Sequence, residues 1–209
     1  MYKRLSAVLT TGSVALTMIL AATSPSAAAT TTTWTVRPGG NVIVQGSVRI
    51  KDTNTGSIVT CGSVTLTTML KSGSGLPGAG VGSITKATFK CAITTGETTL
   101  TVHGLPWTLN ALSYNSASGV TRGSLAGIHL HGSPHLAGCI LTLDGTAAHA
   151  NDGKVKFTYT NSTGKLSFVP TGGNLHFYKV ICFGLFNSGD PAVMTGTLTV
   201  SPKQEITSP

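Results

Sequence analysis

The chain has 209 residues, of which only 10% are charged, with fourteen Lys and Arg against six Asp and Glu and a formal net charge of +8. Thr, Ser and Gly are abundant, which suits a β-protein and disfavours a helical one, since helices draw on Ala, Leu, Glu and Lys. The basic residues stand singly, without the clusters or the basic stripe with interleaved aromatics of a nucleic-acid site, so no nucleic-acid partner is expected and the charge points to weak attraction toward an anionic cell wall or acidic polysaccharide.

The N-terminus reads as a secretory signal peptide. Lys3 and Arg4 form a basic start, an apolar Thr- and Ala-rich stretch runs from Leu5 to about Ala22, and Pro25 ends it. Ala27, Ala28 and Ala29 then supply the small residues a signal peptidase needs. Cleavage after Ala29 gives a signal peptide over 1–29 and a single all-β domain over 30–209 with no transmembrane segment. The mature chain would keep twelve basic side chains against six acidic ones. No Cys flanks the cleavage site, and the end Ser201–Pro209 is polar, so a released, extracellular product is expected.

Beyond the leader the sequence is a series of short strands broken by turn residues. Asn41–Ile50 alternates, and Asp52–Gly56 turns. Strands are predicted at Ser57–Cys61 and Ser63–Lys71, then a mobile Gly-rich loop at Ser72–Gly80. Gly82–Cys91, Glu97–Leu105 and Trp107–Tyr114 read as strands, and Asn115–Gly119 as a hairpin loop. Val120–His131 is a strand or a pair of strands, and Ser133–His135 turns the chain. Cys139–Leu143 leads into Asp144-Gly145, and a short element Ala147–Ala150 into the turn Asn151–Gly153. Lys154–Tyr159 and Lys165–Val169 form a hairpin about Asn161–Gly164, with Val, Phe and Tyr on one face of its first strand. Asn174–Cys182, the turn Asn187–Pro191 and Ala192–Val200 complete the set. The expected architecture is an antiparallel β-sandwich or a closed β-barrel of roughly ten short strands.

Cys61, Cys91, Cys139 and Cys182 make an even number in an exported chain, so two disulfides are expected. Spacing leaves three pairings open. Cys61–Cys91 with Cys139–Cys182 is preferred, because each bond then closes a moderate loop within one half of the chain. No two cysteines have the close spacing of a zinc site.

Little in the sequence points to catalysis. Of the six carboxylates, Asp52, Asp144, Asp152 and Asp190 lie in turns, where such side chains bond nearby backbone amides. A glycosidase pair is therefore disfavoured, and no nucleophile elbow, phosphate loop or dinucleotide fingerprint is present. The metal candidates are His129 and His131, which share one strand face, and His135 just beyond them. Against them stands the plainer reading of a polar strand face, and no metal or other cofactor is expected. His103, His149 and His176 stand alone in the sequence. Trp107, after Pro106, is a possible sugar-stacking ligand contact, with a core role the alternative.

Several phrases carry a resemblance: Trp34–Gly40, Lys71–Leu76, Gly82–Thr85, Gly104–Trp107, Thr171–Leu175, Asn187–Pro191 and Ser201–Lys203. On these the chain resembles small secreted proteins of unknown function from actinobacteria over nearly all its mature length. That resemblance implies export and supplies no catalytic residue. The stretch from Cys61 to Trp107 is similar in pattern to the secreted alkane-oxidation activators of Gram-negative bacteria: an early Cys, a Gly-rich loop, Ile-Thr before a second Cys, then Leu-Pro-Trp.

The leading expectation is a secreted, non-catalytic β-domain that binds or coats a surface such as cell wall or polysaccharide. Two alternatives remain. One is a hydrolase whose site assembles only in three dimensions; the other is a barrel that encloses an apolar ligand or forms a pore.

Overall fold

The computed structural model describes residues 32–94, 96–134, 139–182 and 184–209. The expected signal peptide, 1–29, and His135 lie outside the described residues. Fourteen strands follow in order: β1 (Thr33–Arg37), β2 (Gly40–Asp52), β3 (Ile58–Leu70), β4 (Gly73–Pro77), β5 (Gly82–Ile93), β6 (Gly96–His103), β7 (Trp107–Asn115), β8 (Val120–Pro134), β9 (Ile140–Asp144), β10 (Gly153–Thr160), β11 (Lys165–Val169), β12 (His176–Ile181), β13 (Ala192–Ser201) and β14 (Glu205–Thr207).

Alternation along the strands decides which face goes inside. In β2, Val42, Val44, Val48 and Ile50 are buried while Gln45, Arg49 and Lys51 are exposed. In β10, Val155, Phe157 and Tyr159 are buried between exposed Lys154 and Lys156. The buried faces meet because eight strands close into a ring: β2–β3–β5–β7–β8–β10–β11–β13 and back to β2, every pairing antiparallel. The ring follows chain order, so of the two expected architectures the hydrogen bonding realises the up-and-down barrel, which leaves no edge in the ring.

β6 and β7 share one place in that ring. β7 lies between Gly82–Ile84 of β5 and Val120–Ala126 of β8, and β6 between Phe89–Ile93 and His129–Pro134. The two halves of β8 are separated by a bulge at Gly127, whose φ of +92° suits glycine. The bulge reverses the alternation. Thr121 and Leu125 are buried before it and Ile128 and Leu130 after it, which turns His129 and His131 to the outer face. Gly123 is needed for a different reason: a Cβ there would overlap the ring of Phe157, its partner across β10.

The interior is filled by side chains, among them Trp107, Phe157, Tyr159 and Leu198. A cavity of about 40 Å³ remains, bordered by Val44, Leu70, Leu109, Phe157, Gln204 and Ile206. It is far below the ~300–1,000 Å³ of a small-molecule pocket. A filled interior with Thr, Ser, Lys and Arg at the outward positions also opposes a lipid-spanning pore.

A second sheet, β14–β1–β4, covers one end of the barrel. Tyr159 fastens it: the phenol donates to Gln204 O at 2.8 Å and accepts from Gln204 N at 2.9 Å. Asn161 does the same for Ile206, accepting from its N–H and donating to its carbonyl, both at 3.0 Å.

Four sequence expectations are corrected. The Gly-rich segment Ser72–Gly80 is not a loop throughout, because Gly73–Pro77 pairs with β1 through main-chain bonds that need no side-chain alternation. The polar tail contains β14, held by β1 and Asn161. Ala147–Ala150 is no strand: the Asp144 carboxylate takes the backbone N–H groups of Gly145, Asn151 and Asp152 and closes this segment as a loop. The pair of strands predicted across Ser57–Lys71 is one strand, β3, irregular in register about Gly62. Both disulfides join the preferred partners, Cys61 with Cys91 and Cys139 with Cys182. Cys61 and Cys91 face each other directly across β3 and β5.

Candidate functional site: a histidine array and a basic hydroxyl wall

The five histidines among the described residues gather on one outer face. The register of β6, β8, β9 and β12 creates the array. His103 lies opposite His129, Leu130 opposite Leu143, and Asp144 opposite His176, so His103, His129, Asp144 and His176 form one cross-strand row. Beside it runs a second row of Thr101, His131, Thr142 and Tyr178. His149 comes from the 145–152 loop and lies against His129.

His129 is the centre, only 4% exposed. Its ring lies between those of His103 and His149, with centroids 5.2 and 5.0 Å away. Its Nδ1 faces Asn151 Oδ1 at 2.9 Å and Asp144 Oδ2 at 3.2 Å; both are acceptors, so Nδ1 carries the proton. His131 Nδ1 bonds the Thr142 hydroxyl at 3.3 Å. Lys179 donates to His149 Nε2, so that nitrogen carries no proton. His176 Nδ1 donates to the carbonyls of Asn174 and Gly145, and Tyr178 donates to Gly145 O at 3.1 Å.

Burial, followed by His103, His129, His149 and Lys179, holds the His131 imidazole below its ordinary 6.5. A histidine depressed in the folded state favours the neutral form there. Its contribution to stability is complete above the unfolded value near 6.5 and is lost as pH falls from there toward the folded value. Urea midpoints should therefore fall between about pH 7 and 5, and His131→Gln should flatten part of that slope. An unchanged slope in the variant would contradict the assignment.

The His129–Asp144 pair is oriented as a general base would be, yet among the described residues no serine hydroxyl bonds either His129 or His131. The rings lie side by side, and among the described residues no three His, Cys, Asp or Glu side chains are placed to hold a metal ion. Of the metal candidates, His129 and His131 join the array and His135 lies outside the described residues. Trp107 is not a ligand platform: it is 1% exposed and its indole donates to His103 O at 3.0 Å, so neither ring face is open. The sequence reading missed His103, His149, His176 and the hub Asp144. The one local sign was Asp144-Gly145 set close to Asn151–Gly153, two turn signals that share a carboxylate.

The second feature is the outer wall formed by β11, β13, β2, β3 and β5. Their outward positions carry Arg49, Lys51, Lys86, Lys90 and Lys165 among many hydroxyls, and Asp52, the one carboxylate in these strands, is buried. Lys165, Thr199, Gln45, Thr65 and Thr88 stand in a single cross-strand row. Lys165 donates to the Thr199 hydroxyl at 2.7 Å, and Ser167 and Thr197 share a bond at 3.0 Å. A shallow groove bordered by Gln45, Ser63, Thr65, Lys165, Thr197 and Thr199 crosses the wall.

The model of the alkane oxidation protein activator PraA/PraB-like family matches residues 6–208. The chain belongs to this family. No curated protein and no solved structure matches it. The phrases that carried the similarity are structural in this family member: Cys61 and Cys91 are disulfide-bonded, and Leu105-Pro106-Trp107 turns β6 into β7 with Trp107 in the core. The two disulfides suit an oxidising environment. Among the described residues no helix is long and apolar enough to cross a membrane.

Proposed function

We propose that this family member is an exported, non-catalytic accessory of alkane oxidation that works by binding an anionic, hydroxyl-bearing polysaccharide of the cell envelope. The observation that carries the binding reading is the wall of five exposed cations and no exposed carboxylate across five adjacent strands. The family match supports the accessory role in alkane oxidation. Rows of Thr and Ser hydroxyls offer donors and acceptors to sugar hydroxyls, while spaced Lys and Arg attract anionic groups without demanding one geometry.

Such attraction is screened by salt, since the Debye length falls from about 10 Å at ~0.1 M to about 3 Å at ~1 M. Incubation with purified cell wall should therefore retain the mature protein at low salt and release it at high salt. Replacing Arg49 and Lys165 together with Gln should weaken retention several-fold. No retention at low salt would overturn the proposal. The hydrolase alternative is not favoured, because the His129–Asp144 pair is buried and, among the described residues, bonds no serine.

A further inference from the structure

Tyr114 ends a cross-strand row at one end of the barrel. It stands opposite Thr121 on β8, which in turn stands opposite Tyr159 on β10. Thr121 and Tyr159 are buried, whereas Tyr114 is half-buried. Strand pairing explains the difference. β5 flanks β7 only from Trp107 to Leu109, so past that point β7 has β8 on one side and no paired strand on the other. Two open clefts meet at Tyr114. One, of about 570 Å³, follows the 115–119 hairpin loop past Ser113 to Arg122. The other, of about 620 Å³, lies between Tyr114, Arg37-Pro38 at the end of β1, and Lys203 in the segment before β14. Both fall within the ~300–1,000 Å³ of small-molecule sites.

Main-chain bonds fix the walls. Asn161 N donates to Gly119 O at 3.0 Å, and Gly39 N donates to Gln204 Oε1 at 2.8 Å. A ligand therefore meets a preformed surface and loses little affinity to ordering it. The clefts are bordered by three cations, Arg37, Arg122 and Lys203, and by one carboxylate, Glu205. Glu205 stands opposite Arg37 across β1 and β14, yet among the described residues no ion pair joins them. Among the described residues neither guanidinium is hydrogen-bonded, nor is the Tyr114 hydroxyl. Lys203 donates to Ser162 O at 3.3 Å.

We infer that Tyr114 is the platform of a second binding site, one for an oligosaccharide of uronic acid residues. A pyranose can lay its apolar C–H face on the phenol ring while the hydroxyl at the ring's tip bonds a sugar oxygen. Carboxylates repeated along such a chain meet the forks of Arg37 and Arg122, whose planar donors match a carboxylate in two parallel bonds. The aromatic platform selects a cyclic sugar over a polyol-phosphate chain, which has no ring face to stack. The site uses none of the cations of the β11–β13–β2–β3–β5 wall, so it stands or falls separately from the cell-envelope binding proposed for that wall.

Calorimetric titration of the whole mature chain with a galacturonate trimer at low salt tests the site. The trimer should bind, and uncharged maltotriose should bind about tenfold more weakly or not at all. Tyr114→Ala should weaken trimer binding about tenfold, as for an aromatic anchor, and Tyr114→Phe by less than about twofold because the ring face remains. Arg37→Gln, at an exposed position that the fold does not need, should weaken it about fivefold. Glu205→Gln should tighten it by removing a like charge. Replacing Arg49 and Lys165 together with Gln should leave trimer affinity unchanged while it lowers retention on cell wall. The inference is overturned by no trimer binding, by equal binding of maltotriose or a glycerol phosphate oligomer, or by an affinity that neither Tyr114→Ala nor Arg37→Gln changes.

Discussion

Asp144→Ala is expected to lower folding stability by about 3–5 kcal/mol, the range for stripping the partner from buried hydrogen-bonded groups around a charge. Asp144 is fully buried and organises a whole loop. Its Oδ1 accepts from Gly145 N at 2.7 Å and Asp152 N at 3.2 Å, and its Oδ2 from Asn151 N at 3.1 Å and His129 Nδ1 at 3.2 Å. Alanine removes both carboxylate oxygens at once, takes the side-chain acceptor from the Gly145 N–H and leaves His129 Nδ1 with Asn151 Oδ1 alone. Asp144→Asn keeps the shape but must turn its NH₂ toward one pair of donors, so a smaller loss of about 2 kcal/mol is expected. Urea unfolding measures both, and amide exchange over 145–152 should accelerate in both. An Ala variant within about 0.5 kcal/mol of wild type would show that the loop does not depend on this carboxylate.

Asp144 also marks the limit of what the sequence could reveal. Patterns of period two were legible wherever a strand has one face in the barrel and one in water, as in β2 and the β10–β11 hairpin. There alternation is the direct consequence of burial, and the all-β class and the disulfide partners followed from similarly local signals. β4 and β14 escaped because edge strands bonded to β1 need no apolar alternation; their stability comes from main-chain pairing and from Tyr159 on β10 and Asn161 in the turn after it. The histidine array was half legible. His129 and His131 share a strand, so a two-residue spacing placed them together. His103, His149 and His176 meet them only through the register of β6, β8, β9 and β12 and the closure of the 145–152 loop, none of which leaves a mark in local spacing. The same holds for the junction of the 52–56 and 187–191 turns: Asp52 and Asp190 each read as an ordinary turn aspartate, and the turns meet through the pairing of β2 with β13. The basic wall was hidden differently. Its lysines and arginine look scattered along the chain because the barrel collects one or two from each of three strands, β2, β5 and β11, onto a continuous surface.

The two disulfides are expected to respond differently to removal, although the chain-entropy account assigns each about 3.5–4 kcal/mol from loops of this size. The bonds span 30 residues for Cys61–Cys91 and 43 for Cys139–Cys182. Cys61 and Cys91 sit within the closed ring, where β3 and β5 stay paired on both sides of the bond from Thr60 to Leu70. Removing this bond by Cys61→Ala with Cys91→Ala should leave the architecture intact and lower the global Tm, by about 10 °C at a few degrees per kcal/mol. Cys139 and Cys182 stand instead at the open end of β9 and β12, and β12 has a single sheet neighbour. Without that bond β12 keeps four register pairs with β9, interrupted between Tyr178 and Ile181, and the main-chain bonds of Phe177 with Asp190 and Gly189 at its start. The expected result for Cys139→Ala with Cys182→Ala is local: rapid amide exchange across 176–181 well below the global transition, with barrel strands still protected. Loss of β12 takes His176, Tyr178 and Lys179 from the array, frees His149 Nε2 from its lysine donor and removes two partners from Gly145 O. The depression of the His131 imidazole should then relax toward its ordinary value, as the Lys179 charge and part of the burial are lost. Histidine titration by NMR reads this directly. A His131 unchanged in the double variant, with β12 exchanging no faster than the barrel, would show that β9 and the 187–191 turn hold β12 without the bond and that the bond contributes only to the unfolded chain.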